Sequence, residues 1–253
     1  MTDSPDEPRP PAAALFDVDG TLVDSERDGH RVAFNTAFAD LDMTDRWDEE
    51  TYGDLLAVSG GENRLDHYLR EYRDYPEDEA AELAAELHAR KTEHFQELVA
   101  DGRIPPRPGM VRLIEELEAA GVPLCVTTTG SRAWVEPLLE RLFGADRFDP
   151  VLTGDDVSER KPDPEVYHLA LQALDVPAEA TVAIEDSDSG LAAARAAGIP
   201  CLIVVNGYTR EQDFDGAALV VDELDDSKVL EGPAELLDGG AVTATTLARI
   251  VRG

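Results

Sequence analysis

Asp17 and Asp19 stand two residues apart in Phe16-Asp17-Val18-Asp19-Gly20-Thr21, directly after the apolar run Ala12 to Phe16. On an extended segment alternate side chains point the same way, so both carboxylates can converge on one point before Gly20 turns the chain. Two close carboxylates repel each other unless a cation lies between them. An oxygen-rich site of that kind suits magnesium. A bare Asp-x-Asp is as readily an acidic turn capping a helix; the apolar run before it and Leu22-Val23-Asp24-Ser25 after it favour a site. Three further segments carry complementary groups: Thr127-Thr128-Thr129-Gly130-Ser131, Arg160-Lys161-Pro162-Asp163-Pro164, and Ile184-Glu185-Asp186-Ser187-Asp188-Ser189-Gly190.

These segments need strands to hold them. Near-continuous apolar runs at Ala12 to Phe16, Pro123 to Val126, Val151 to Thr153, Thr181 to Ile184, Cys201 to Val205 and Ala218 to Val221 predict strands covered on both faces. Between them, Gly109 to Ala120, Arg132 to Phe143, Pro164 to Leu174 and Gly190 to Ala197 have helical spacing, with Gly or Pro at several stops. The alternation predicts an α/β fold with a doubly wound, Rossmann-like parallel sheet. Ligands then bind at the carboxyl ends of the strands, where the four segments fall.

From Ser25 to Ala100 only helical patterning is present, at Val32/Phe34/Ala37/Phe38/Leu41, Leu65/Tyr68/Leu69/Tyr72 and Ala80/Leu83/Ala84/Leu87. That length cannot be a short βα connection. Residues 25–100 are therefore expected to form a separate small helical domain inserted after the first strand. Residues 1–24 and 101–253 form the core, with Arg103 to Gly109 as the return linker.

With all four segments in order, the chain resembles the haloacid dehalogenase superfamily of hydrolases, whose first motif is Asp-x-Asp-Gly-Thr after the first strand. The resemblance implies a magnesium-dependent phosphatase acting on a small phosphorylated metabolite through an aspartyl-phosphate. Asp17 would be the nucleophile and Asp19 the acid/base. Thr128, with Thr127 as the alternative, would donate to the phosphoryl group, and Lys161 would balance the charge of phosphate and nucleophile. Magnesium would be held by Asp17, the Asp19 main-chain carbonyl and Asp186, with Glu185 supporting directly or through water. Ser187 would hold the loop, and Asp188 and Ser131 would cap the following helices. A β-phosphoglucomutase-type phosphomutase uses the same residues and is the alternative. A 2-haloacid dehalogenase needs no magnesium and has no use for Asp19; a non-catalytic member should have lost one of these groups.

The insert, residues 25–100, stands between the first and second motifs, where this superfamily carries its small α-helical cap domain. Inside it, His30-Arg31-Val32-Ala33-Phe34-Asn35 and the segment from Tyr52 to Arg64 resemble the CbbY-type subgroup, relatives of β-phosphoglucomutase. His30, Arg31 and Arg64 are candidate substrate contacts. Glu62 and Asn63 stand where that subgroup usually has Lys-Glu, and the lost positive charge points away from a sugar bisphosphate.

Asp and Glu number 54 against 22 Lys and Arg, a net charge of −32, and the lysines are Lys91, Lys161 and Lys228. Such a surface resembles that of proteins from salt-loving microbes, where a Debye length of about 3 Å screens the self-repulsion. It argues against nucleic-acid and anionic-membrane partners. No apolar run approaches the ~20 residues of a membrane span. The acidic, Pro-rich start MTDSPDEPRPP is unlike a secretory signal, so the cytoplasm is expected. A monomer is expected, with an oligomer as the alternative. Cys125 and Cys201 lie inside apolar runs and read as buried thiols. The remaining histidines, His67, His88, His94 and His168, lack metal-ligand spacing.

Overall fold

Seven strands form one sheet in the computed structural model, which describes residues 9–58 and 60–252; residues 1–8, on which most of the reading of no secretory signal rests, and Ser59 lie outside the described residues. The strands are β1 (Ala13–Phe16), β2 (Leu124–Thr127), β3 (Val151–Leu152), β4 (Thr181–Glu185), β5 (Cys201–Val204), β6 (Leu219–Val221) and β7 (Val229–Glu231). Their order is β3-β2-β1-β4-β5-β6-β7. All neighbours are parallel except β6 and β7. The chain winds outward from β1 in one direction and from β4 in the other, so the switch point lies between β1 and β4. In open α/β sheets that crevice takes the ligand.

Register decides which side chains meet there. Phe16 lies opposite both Val126 and Ile184. The next residues in step are Asp17, Thr127 and Glu185. With a period of two, they share the face of Leu15, Cys125 and Ala183. That face is buried against Val166, Tyr167, Leu191 and Ala194.

The chain divides into two units, one made of the segment ending at Asp24 and the segment starting at Pro105, the other Ser25–Ile104. The second is helical. A π-helical turn, Glu26–His30, leads into α1 (Arg31–Asp40), followed by α2 (Glu49–Leu55), α3 (Gly61–Arg73) and α4 (Glu77–Ala100). Its interior is an aromatic cluster in which the Trp47 ring lies 4.8 Å from Phe34 and 5.1 Å from both Phe38 and Tyr68. Gly29 is required by close packing: a Cβ there would come within 2.7 Å of both Phe95 and Ile104. Ile104, the last residue of the helical unit, is fully buried.

In the sheet-bearing unit, α5 (Met110–Ala119), α6 (Arg132–Phe143), α7 (Glu165–Leu174), α8 (Asp188–Ala196) and α9 (Ala244–Ile250) complete the layers. Both cysteines are free thiols in this core, as their apolar settings implied. Burial pushes the Cys125 thiol up to about 12. Three elements have no counterpart in the sequence reading: α2, β7 and α9. The first lacks an apolar stripe, the second is three residues ending in Glu231, and the third is seven residues defined by a Thr243–Thr246 capping box rather than by periodicity. Among the described residues no helix is long and apolar enough to cross a membrane.

Candidate active site

β1 ends at Phe16, and Asp17 continues the ladder by donating its N–H to the Ile184 carbonyl at 3.0 Å. Lys161, in the segment between β3 and α7, reaches Asp17 from across the sheet. Its Nζ lies 2.9 Å from Asp17 Oδ1 and 2.8 Å from the Thr127 carbonyl, and it also donates to Glu185 Oε1. Tyr167 on α7 donates its hydroxyl to that same Glu185 oxygen, and Lys161 Nζ lies 5.3 Å from the centre of the Tyr167 ring. The Lys161 side chain is 4% exposed and Glu185 1%. A buried charge persists only where partners satisfy it, and this ammonium has two carboxylates and a carbonyl. Burial works against its charge, but Asp17 and Glu185 outweigh that and hold Lys161 above its ordinary value.

The adjacent residue, Asp186, is gripped from the other side of the switch point. Asn206, just after β5, donates its amide to Asp186 Oδ2 at 2.6 Å. Gly20 has φ +83°, and a Cβ there would lie 2.1 Å from the same oxygen. Only glycine combines that conformation with that approach. Arg107 donates to the carbonyls of Val204 at 2.8 Å and Val205 at 2.7 Å, and to that of Gly20, joining the end of β5 to the turn after Asp19.

Asp17, Glu185 and Asp186 each place a carboxylate oxygen within 4.8 Å of the others, and all three are buried. Lys161 and Arg107, which also acts on Asp186, do not offset three carboxylates and the nearby Asp19. Burial, aided by Glu185 and Asp19 and opposed by Lys161, pushes Asp17 up to about 8. Asp186 is likewise raised well above the carboxylate range by burial and by Asp17 and Glu185. Hard oxygen donors with surplus negative charge fit a divalent cation. Asp19 is half-buried; it acts on Asp17 as a nearby negative charge, and its side chain is not one of the three clustered carboxylates.

Both threonines at the end of β2 are buried. Thr128 Oγ1 accepts the Gly130 N–H at 3.1 Å, while the Thr127 hydroxyl has no hydrogen-bond partner among the described residues. Two capping expectations change. Ser187, not Asp188, is the N-cap of α8, its hydroxyl accepting from the Gly190 N–H at 3.2 Å. Ser131 occupies the N-cap position of α6 but its side chain makes no capping bond; the Asp155 carboxylate accepts the N–H of the first helical residue, Arg132, at 2.9 Å.

The remaining candidates lie in the helical unit. His30 Nδ1 is 3.0 Å from Lys91 Nζ, and its ring stacks on Phe95 at 3.9 Å. Arg31 donates to the Trp47 carbonyl at 3.5 Å and lies 3.6 Å from Glu49. Arg64 is buried, with Nε donating to the Leu55 carbonyl at 3.0 Å and a second nitrogen donating to the Tyr52 hydroxyl at 3.1 Å. Glu62 is an exposed side chain 3.8 Å from His88 Nδ1.

Tyr167, Arg107 and Asn206 are absent from the sequence reading. Asn206 had a usable signal, a polar residue directly after the apolar run Cys201 to Val205. Arg107 was indistinguishable from any basic residue in a proline-rich linker.

The chain matches the haloacid dehalogenase-like hydrolase family over residues 11–198. It is 45% identical over 213 residues to the protein CbbY of Cereibacter sphaeroides, covering 83% of this chain and 91% of that relative. It is 32% identical over 213 residues to the validoxylamine A 7'-phosphate phosphatase of Streptomyces hygroscopicus subsp. limoneus, covering 81% and 89%. Among solved structures, a variant of CbbY from Rhodobacter sphaeroides in complex with xylulose-(1,5)bisphosphate superposes with a TM-score of 0.71 at 44% identity, over 84% of this chain and 94% of that one. Match length, identity and fold agree, and the chain belongs to the haloacid dehalogenase-like hydrolases.

Proposed function

We propose that this enzyme is a magnesium-dependent phosphatase of small phosphorylated sugars, working through an aspartyl-phosphate on Asp17. The observation that carries the reading is Asp17 itself. It is a buried carboxylate at the switch point, 2.9 Å from Lys161 and clustered with two further carboxylates. The bound xylulose-(1,5)bisphosphate of the 44% identical neighbour supports a sugar-phosphate substrate, and reopens the bisphosphate class that Glu62 had argued against.

Magnesium, held by Asp17, Asp186 and the Asp19 carbonyl with Glu185 in support, would offset the charge of carboxylates and phosphoryl group. Asp17 attacks phosphorus and the phosphorus–oxygen bond to the sugar breaks. Asp19 gives its proton to the departing sugar oxygen, then takes one from the water that cleaves the aspartyl-phosphate, which returns Asp17 and releases phosphate. Lys161 favours the ionised form of Asp17, against burial and the neighbouring carboxylates, and holds it in place. Thr128, whose oxygen already accepts from Gly130, has its O–H for the phosphoryl oxygens, with the buried Thr127 hydroxyl beside it. His30, Arg31 and Arg64 stay candidates for substrate recognition, and the net charge of −32 suits a monomer of a salt-rich cytoplasm.

The test is phosphate release from a panel that includes xylulose 1,5-bisphosphate and glucose 1-phosphate, with and without magnesium. Free phosphate that depends on magnesium and disappears in Asp17→Asn is the expected result. Hydrolysis that survives Asp17→Asn sinks the assignment, and conversion of glucose 1-phosphate to glucose 6-phosphate makes the enzyme a mutase.

A further inference from the structure

We propose that Asn206 is a positioning residue of the cation site: its amide clamps one oxygen of Asp186 so that the other is presented to a divalent cation. The proposal rests on the magnesium reading above and adds to it a residue outside the four motif segments.

Asn206 Nδ2 donates to Asp186 Oδ2 at 2.6 Å. The other end of the amide is fully used: Oδ1 accepts the main-chain N–H groups of Tyr208 at 2.8 Å and Thr209 at 3.2 Å. Thr209 in turn accepts the Asn206 N–H on its hydroxyl at 3.0 Å. Two N–H donors on Oδ1 settle which end faces Asp186, because a flipped amide would set a carbonyl against a carboxylate and an NH2 against two N–H groups. The Asn206 side chain is therefore fixed by its own loop before it touches Asp186.

The clamp has a second jaw. The Cα of Gly20 lies against the same Asp186 oxygen, where a Cβ would come to 2.1 Å, and it also abuts Asn206 Nδ2, where a Cβ would come to 2.7 Å. Arg107, bonded to the carbonyls of Gly20, Val204 and Val205, holds the two jaws together. The terminal torsion of an aspartate is broad and two-fold, so an unclamped Asp186 would sample orientations that a cation must then select from. With Oδ2 enclosed, Oδ1 is the oxygen left for the ion, and the cost of ordering it is met by the fold.

The experiment is calorimetric titration of magnesium into cation-free protein. It compares wild type with Asn206→Ala, Thr209→Val and Asp186→Asn, and circular dichroism establishes that each is folded. Losing a group that orients a metal ligand typically weakens affinity by about 10–100-fold. Asn206→Ala should fall in that range, and Thr209→Val should shift the same way by less. Turnover at saturating magnesium should change far less than the magnesium concentration needed to reach it, a split that general loosening of the fold would not produce. Wild-type affinity in Asn206→Ala, with binding lost in Asp186→Asn, overturns the positioning role and leaves the site intact. Undiminished binding in Asp186→Asn overturns the cation site itself. Should the alanine variant not fold, Asn206→Leu keeps the volume without the donor and is read by the same criteria.

Discussion

Lys161 Nζ lies 2.9 Å from Asp17 Oδ1, although 144 residues separate them in the chain. The same ammonium serves Glu185, so a single cation holds together the carboxyl ends of β1 and β4. Removing one partner of a buried charge pair leaves the other uncompensated, at a cost of about 3–5 kcal/mol. Lys161→Met should therefore lower the free energy of unfolding in denaturant titrations by about that amount. Unchanged stability would mean that the carboxylates find relief elsewhere.

Gly20→Ala tests the crowding around Asp186. Alanine at φ +83° costs about 1–2 kcal/mol in backbone conformation alone. Its Cβ must also displace the Asp186 carboxylate or the Asn206 amide. Expected are a lowered Tm and loss of phosphate release; a fully active, equally stable variant would contradict the packing described.

His30 supplies a pH dependence. Burial, together with the nearby Lys91, Arg64 and His88, holds its imidazole well below the usual histidine range. The folded group stays neutral where the unfolded one takes up a proton. Stability contributed by neutral His30 is thus complete above the unfolded value of about 6.5 and is lost as pH falls below it. Thermal unfolding should show wild type losing more stability than His30→Asn between pH 7.5 and 5.5. Equal losses would refute the assignment. His94 has the opposite sign, being raised by Asp40 and Glu97 against the effect of burial.

The surface charge makes a prediction about salt. With 54 acidic and 22 basic residues, self-repulsion opposes folding at low ionic strength. Raising potassium chloride from 0.1 to 2 M shortens the screening length from about 10 Å to about 3 Å or less. Tm should rise, each kcal/mol of relief giving roughly 2–4 °C for a chain of this size. A Tm that is flat or falling with salt would contradict adaptation to a salt-rich cytoplasm.

What was legible in the sequence was local. The strands flanking Asp17, Thr127 and Glu185 are continuous apolar runs, and the motif residues follow them within one or two positions. The contacts of Asn206, Tyr167 and Arg107 depend on which strands become neighbours and in what register, and no short window of sequence contains that. Helix caps behaved similarly. Ser131 has the right type and place, but its hydroxyl makes no capping bond, and the first N–H of the helix, that of Arg132, goes to Asp155, 23 residues further along the chain. The segment from Asp222 to Val242 escaped because β7 draws its pairing from β6 rather than from any pattern of its own.

Val23 forms an antiparallel bridge with Pro106, and Arg107 donates its N–H to the Leu22 carbonyl at 2.9 Å. The chain thus leaves the sheet-bearing unit and returns to it at adjoining points, stitched together within that unit's own backbone. With its two ends joined in this way, the frame that carries Asp17 should tolerate changes in the length and sequence of residues 25–104, or closure of the gap by a short glycine-rich joint, without being stretched. Such a seam lets evolution exchange the insert while the residues at the switch point stay unchanged.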